Sequence, residues 1–249
     1  MKKMNYLLAV FSVLFSLNVA FAGVCDDESD CFSKGGKARD DGQLVDALDY
    51  FDRACNISDM PSCLEMAKIY LQGGKGVPAD AARAANLFNT VCEKNQNAEA
   101  CNNLAKFYQV GEVVPADIKK AFELYEISCG RGNWEACNNQ AVLYEQGRGV
   151  VQSTQKAYEL YLAACNEGDF KSACDNLGMM AQNSNNYAMA AKFYDKNCKN
   201  GYGKSCYNLA YLYDKGIGAE QADKEKAAKY YQEACDKGDQ NGCSKLTSL

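Results

Sequence analysis

Cys101-Asn-Asn-Leu-Ala-Lys-Phe-Tyr108-Gln-Val-Gly111 decides the fold, because the chain repeats it. Cys137-Asn-Asn-Gln-Ala-Val-Leu-Tyr144-Glu-Gln-Gly147 and Cys206-Tyr-Asn-Leu-Ala-Tyr-Leu-Tyr213-Asp-Lys-Gly216 keep the same frame. The cysteine and the residues three, four and seven places after it share one face of a helix with a 3.6-residue period. The residue four places on is always small (Ala67, Ala105, Ala141, Gly178, Ala210), which lets a neighbouring helix approach closely. This segment is helix A of a repeat.

Working outward, the cysteines fall into pairs: Cys55/Cys63, Cys92/Cys101, Cys129/Cys137, Cys165/Cys174, Cys198/Cys206 and Cys235/Cys243, with a shorter pair Cys25/Cys31 at the start. The first cysteine advances by 37, 37, 36, 33 and 37 residues, a period that marks a solenoid. Before each first cysteine a second apolar stripe lies at offsets of eight, five and four: Ala84, Leu87, Phe88; Ala121, Leu124, Tyr125; Ala157, Leu160, Tyr161; Ala190, Phe193, Tyr194; Ala227, Tyr230, Tyr231. This is helix B. The A–B loops are glycine-rich, as in Gly74-Lys-Gly76-Val and Gly147-Arg-Gly149-Val, and glycine ends helix A with a left-handed cap. Asp80, Asp117 and Asp223, each 12 residues before a first cysteine, fit helix-B N-caps. The Gln182 to Tyr187 stretch lacks the glycine loop, and the first unit turns at Asp41-Gly42. The expectation is an all-α, α/α superhelical solenoid of about 12 helices. A disulfide at each pair would fasten the end of one helix B to the first turns of the next helix A, at about 2 kcal/mol per bond.

The N-terminus reads as a cleaved secretory signal over residues 1–22. Lys2 and Lys3 precede an apolar run, and Ala20-Phe21-Ala22 sets small residues where signal peptidase cuts. Bulky Val24 before Cys25 departs from a lipobox. Residues 23–249 then form a single solenoid domain of about six helix-turn-helix repeats. Without Lys2 and Lys3, 25 basic residues face 32 acidic ones, a charge of −7. That balance gives no footprint for nucleic acid, and no stable membrane insertion is expected. Fourteen cysteines, all beyond the cleavage site, point to an oxidising space, so the location expected is secreted or periplasmic. A chain with no histidine and no C-x2-C pair is a poor metal protein, and neither metal nor cofactor is expected.

The pattern C-x-x-L-A-x-x-Y, G-x-G-V, A-x-x-L/Y-Y/F and A-C over residues 31–243 resembles Sel1-like, tetratricopeptide-like repeats, and within them the cysteine-rich Hcp family of Helicobacter and Campylobacter type, also called Hcp-type beta-lactamases. The resemblance implies a right-handed superhelix and the pairing Cys25–Cys31, Cys55–Cys63, Cys92–Cys101, Cys129–Cys137, Cys165–Cys174, Cys198–Cys206 and Cys235–Cys243. It also implies penicillin binding with weak beta-lactam hydrolysis in some members. This chain departs from the pattern in its nine-residue spacings, the Cys25/Cys31 pair and the short fifth unit.

The residues carry that hydrolase implication poorly. A histidine-free chain has no Ser-His-Asp triad. Ser153-Thr-Gln-Lys156 offers the one S-x-x-K at a helix start, yet Ser153 stands where the other repeats place a capping aspartate. The catalytic residues are therefore unknown. A binding reading has more support. Asn103, Asn139, Asn176 and Asn208 recur two places after the cysteine, turned away from the core-facing positions. Lys106, Phe107, Val110, Val142, Leu143, Gln146, Tyr211, Leu212 and Lys215 are expected on the same side. This concave helix-A face would hold a peptide, a protein or a peptidoglycan-derived fragment, with beta-lactams as the alternative ligand class. Equally, the asparagines could order adjacent helices with no ligand. Trp134 reads as a packed turn residue, Tyr70, Tyr108, Tyr144 and Tyr213 as filler between helices, and the chain as a monomer.

Overall fold

A computed structural model describes Cys25, residues 27–218 and residues 221–247. The expected signal segment, residues 1–22, lies outside them. The described residues form thirteen helices: α1 (Glu28–Asp40), α2 (Leu44–Asn56), α3 (Met60–Gln72), α4 (Ala81–Asn95), α5 (Ala98–Val110), α6 (Ile118–Gly130), α7 (Trp134–Gln146), α8 (Thr154–Asn166), α9 (Lys171–Asn183), α10 (Tyr187–Lys199), α11 (Gly203–Lys215), α12 (Lys224–Asp236) and α13 (Gln240–Leu246). This is one more than the repeat count suggested, because the last cysteine, Cys243, lies in a short helix of its own beyond the sixth helix pair. Odd-numbered helices are A and even-numbered ones B. Each packs chiefly on its neighbours in sequence, the quasi-one-dimensional arrangement of a solenoid. None of the described helices is long and apolar enough to cross a membrane.

The helix-B stripe builds the core. Ala47, Ala84, Ala121, Ala157, Ala190 and Ala227 are all fully buried, and so are the residues four places before the cysteine: Phe51, Phe88, Tyr125, Tyr161, Tyr194 and Tyr231. The small helix-A residue admits that ring. At Gly178 the approach is closest, since a Cβ there would run into the Tyr194 ring. Gly178→Ala should therefore cost about 1–3 kcal/mol by overpacking, read as a lower urea midpoint. An unchanged midpoint would show that the ring can withdraw.

Helix ends follow the sequence signals. Asp80, Asp117 and Asp223 accept from the backbone N–H groups of Arg83, Lys120 and Lys226. Ser153 does the same for Lys156. Gly111, Gly147 and Gly216 are left-handed C-caps. Gly149 is required for a second reason: its Cβ would stand 2.8 Å from the Ile118 carbonyl oxygen.

All seven expected disulfides are formed, with Cα–Cα separations from 4.6 to 5.1 Å. Six span a B–A turn, while Cys25–Cys31 ties the segment before α1 to its first turns. Every B–A turn has one positive-φ residue just before helix A, namely Ser58, Gln96, Gly132, Asp169, Gly201 or Gly238, and in the two nine-residue spacings it falls four places after the first cysteine instead of three. Such a crowd of disulfides fits an oxidising environment outside the cytoplasm.

Candidate functional site

The expected asparagines stand in one row along successive A helices, half-buried rather than exposed. Their amides are largely engaged with neighbours. Asn176 Nδ2 donates to Asn138 Oδ1 at 2.9 Å, and Asn208 Nδ2 donates to Asp175 Oδ1 at 2.9 Å. Asn139 accepts from Asn138 at 3.5 Å and also hydrogen-bonds Tyr125. In the two cross-helix bonds, the residue one place after a cysteine is held by the residue two places after the next. Asn102, buried at the same position, donates instead to Glu135 at 2.9 Å. Asp175 is the charged member. It is 1% exposed and also receives Ser205 Oγ at 2.9 Å and Lys204 Nζ at 2.9 Å. A buried carboxylate needs that many partners.

Two positions expected on this surface are not there. Leu143 and Leu212, six places after the cysteine, are buried; Leu212 joins the cluster of Ala190 and Tyr194 in α10, the preceding helix B. Phe107 is half-buried and packs on Phe88 with ring centroids 6.5 Å apart. The outward face is formed by offsets two, five and nine. Its fifth-place residues change character along the chain. Lys68 pairs with Glu99 at 2.9 Å and Lys106 with Glu135 at 2.7 Å, each reaching the next A helix. Arg39 and Glu65 form a further ion pair at the N-terminal end. From α7 onward the same place holds Val142, Met179 and Tyr211, and Met179 and Tyr211 are 37% and 36% exposed. There the surface opens into a cleft of about 380 Å³ lined by Met179, Gln182, Asn183, Tyr194, Tyr207, Asn208 and Tyr211. The N-terminal stretch is thus closed by its own charges, and the C-terminal stretch leaves aromatic and amide groups open.

One set of polar residues has no counterpart in the sequence reading. Tyr125 donates to Gln109 at 2.6 Å, Tyr161 to Glu145 at 2.9 Å and Tyr194 to Gln182 at 3.3 Å. Each acceptor lies eight places after a helix-A cysteine. Burial pushes all three hydroxyls well above the ordinary tyrosine range, and the nearby carboxylates Glu135, Glu145 and Asp175 add to the shift. Where the aromatic is Phe51 or Phe88, the preceding place holds Arg39 or Leu71 instead. That co-occurrence of Tyr with Gln or Glu was the available signal.

Ser153 spends its hydroxyl capping α8. Among the described residues all cysteines are disulfide-bonded. Cys198, Cys206 and Glu233 come close enough together to hold a metal ion, but both sulfurs belong to one disulfide. Trp134 opens α7 half-buried and packs against the core.

The model of the Sel1 repeat matches residues 61–95, 98–133, 134–169 and 203–239, together more than half of the chain. The chain belongs to the Sel1 repeat family. The Sel1 matches pass over residues 170–202, which hold the α9–α10 unit without its glycine loop. Among curated proteins, the chain is 30% identical over 93 residues to cytochrome c oxidase assembly factor 7 of Xenopus tropicalis, covering 37% of this chain and 40% of that protein. It therefore spans about two fifths of that relative's length. Among solved structures, a Sel1 repeat protein from Oxalobacter formigenes superimposes with a TM-score of 0.76 at 24% identity, over 87% of this chain and 89% of that one. A protective antigen of uropathogenic Escherichia coli strains with an SLR fold gives 0.75 at 19% identity, over 89% of this chain and 48% of that chain. Both likenesses speak for the Sel1 solenoid itself.

Proposed function

We infer that the chain is a secreted or periplasmic Sel1 scaffold of the cysteine-rich Hcp kind, in which residues 1–22 are removed as a signal and residues 23–249 act as one monomeric binding module. Its ligand is a peptide, a protein or a peptidoglycan-derived fragment, held on the concave surface of the A helices. The observation that supports this most is the change along the fifth-place row. Lys68 and Lys106 are neutralised by Glu99 and Glu135, whereas Met179 and Tyr211 flank an open cleft that also contains Asn208. Aromatic rings beside Asn183, the Asn208 oxygen and the Gln182 nitrogen suit an extended peptide, whose backbone these amide groups can pair with and whose side chains the rings can hold. Asn103, Asn139 and Asn176 continue the row as supporting contacts, and the bonds of Asn139 to Tyr125 and of Asn176 to Asn138 keep their part of it rigid.

Panning a random peptide library against the oxidised protein tests this. Ligands should be enriched whose affinity falls about tenfold or more with Tyr211→Ala, while circular dichroism stays unchanged. Failure to enrich any ligand, or ligands indifferent to Tyr211 and Asn208, would end this reading. Beta-lactam hydrolysis, the alternative that the Hcp resemblance carries, has no residue to rest on here, and turnover of nitrocefin above buffer is the result that would reopen it.

A further inference from the structure

Three repeats cover the start of the preceding helix B with one aliphatic residue from the A–B loop. The covered places are eleven and seven residues before the first cysteine. Val77 joins the core of Leu44 and Leu48 in α2. Val150 joins the core that Ile118 and Phe122 of α6 belong to. Ile217 packs in the cluster of Ala191 in α10. Gly76, Gly149 and Gly218 make these approaches, lying against Val45, Ile118 and Tyr187.

The equivalent places in α8 are Thr154 and Tyr158, and their cover is missing. Only Ser184-Asn185-Asn186 joins α9 to α10. A second regular contact fails in the same unit. In four other units a cation nine places before a cysteine lies over a helix-A tyrosine: Arg83 on Tyr70, Lys120 on Tyr108, Lys156 on Tyr144, Lys226 on Tyr213. Here the pair is Met189 and Ala181. The result is a cleft of about 280 Å³ walled by Tyr158, Met180, Ala181 and Met189. Thr154, Gln155, Ser184 and Asn186 complete its lining with uncharged polar groups.

We propose that this cleft is a second binding site, which takes an aliphatic side chain presented on a glycine-containing turn of a partner protein. The occupant is identified by what the chain itself puts in the equivalent space, Gly74-Lys-Gly76-Val77 over α2 and Gly147-Arg-Gly149-Val150 over α6. The uncharged lining leaves a charged tip without a counter-ion, so the inserted residue is apolar. The two methionines adapt their shape to it. The site lies at the A–B loop edge, apart from the Tyr211 cleft, and does not depend on that cleft being a binding site.

The test is a titration of the oxidised protein, labelled at its methionine methyl groups, with a cyclic peptide containing Gly-Arg-Gly-Val-Val. Saturable shifts are expected at Met180 and Met189 at millimolar peptide, with Met179 unmoved. Replacing the first valine of the peptide by aspartate should weaken binding about tenfold or more. Met189→Lys, a half-exposed position, should do the same without lowering Tm. A second variant with Gly-Arg-Gly-Val inserted beside Asn185 fills the cleft in cis and should abolish the shifts. Absence of a saturable shift, shifts that persist in both variants, or a response confined to Met179 would overturn the proposal. Tyr211→Ala should leave the titration unchanged, so the two binding surfaces fail or survive separately.

Discussion

Reduction and alkylation of the disulfides should abolish most of the helical circular dichroism of the purified protein at room temperature. Each B–A staple closes a loop of eight or nine residues, worth about 2–2.5 kcal/mol in the chain-entropy picture. Taken over all the junctions that is of the order of 10–15 kcal/mol, as large as the whole net stability of an ordinary domain, ~5–15 kcal/mol. A solenoid is especially exposed to this loss, because each unit is held only by its neighbours. Removing the central staple alone, by Cys129→Ala with Cys137→Ala, should lower stability by about 2 kcal/mol. The Cys25–Cys31 bond, with one end outside any helix, should matter least to the global transition. A reduced and alkylated chain that keeps its full helical signal would mean that packing alone sustains the fold.

Tyr161→Ala should be the most damaging single core substitution of those considered, at about 3–5 kcal/mol for emptying a large aromatic site. Tyr161 is 1% exposed, and its hydroxyl donates to Glu145 at 2.9 Å. Tyr161→Phe separates the two contributions. It keeps the ring and removes one hydrogen bond to a charged group, at about 1.5–3 kcal/mol. The order Ala below Phe below wild type in urea midpoint is the expected result, and equal losses would show that the hydroxyl carries the whole effect. The same group gives a pH dependence. Burial and then Glu145 raise the Tyr161 pKa in the folded chain, so the folded state holds this proton more tightly than the unfolded one. The stability is present below the ordinary tyrosine value of about 10 and is lost as pH rises beyond it. Tyr125, Tyr194 and Tyr231 shift in the same direction for the same first cause, burial.

Most of the fold was legible because its determinants are local and periodic. The eight-and-four stripe, the small residue facing it and the capping aspartates each sit at a fixed distance from a cysteine. The same register identified Ser153 as a cap. The candidate surface was read less well. An offset of six looked outward on a helical wheel, but Leu143 and Leu212 are buried, Leu212 against the preceding helix B, a neighbour that a single-helix projection does not contain. The asparagine row was visible, while its bonds to Asn138 and Asp175 were not, since these join residues more than 30 positions apart. The missing loop after α9 was plain in the sequence. What it uncovers on α8 required knowing which helix each loop lies over.

The placement of the staples has a consequence for survival among proteases. Every B–A turn is bracketed by cysteines, so a cut there nicks the chain without parting it, and the two sides stay covalently joined. The A–B connections have no such insurance, and a cut in one of them divides the molecule. Two of them, residues 41–43 and 184–186, are only three residues long and offer a protease the least chain to grip. Loss of the glycine loop thus leaves a gap in the surface and, in the same stroke, shortens the weakest kind of link in the molecule.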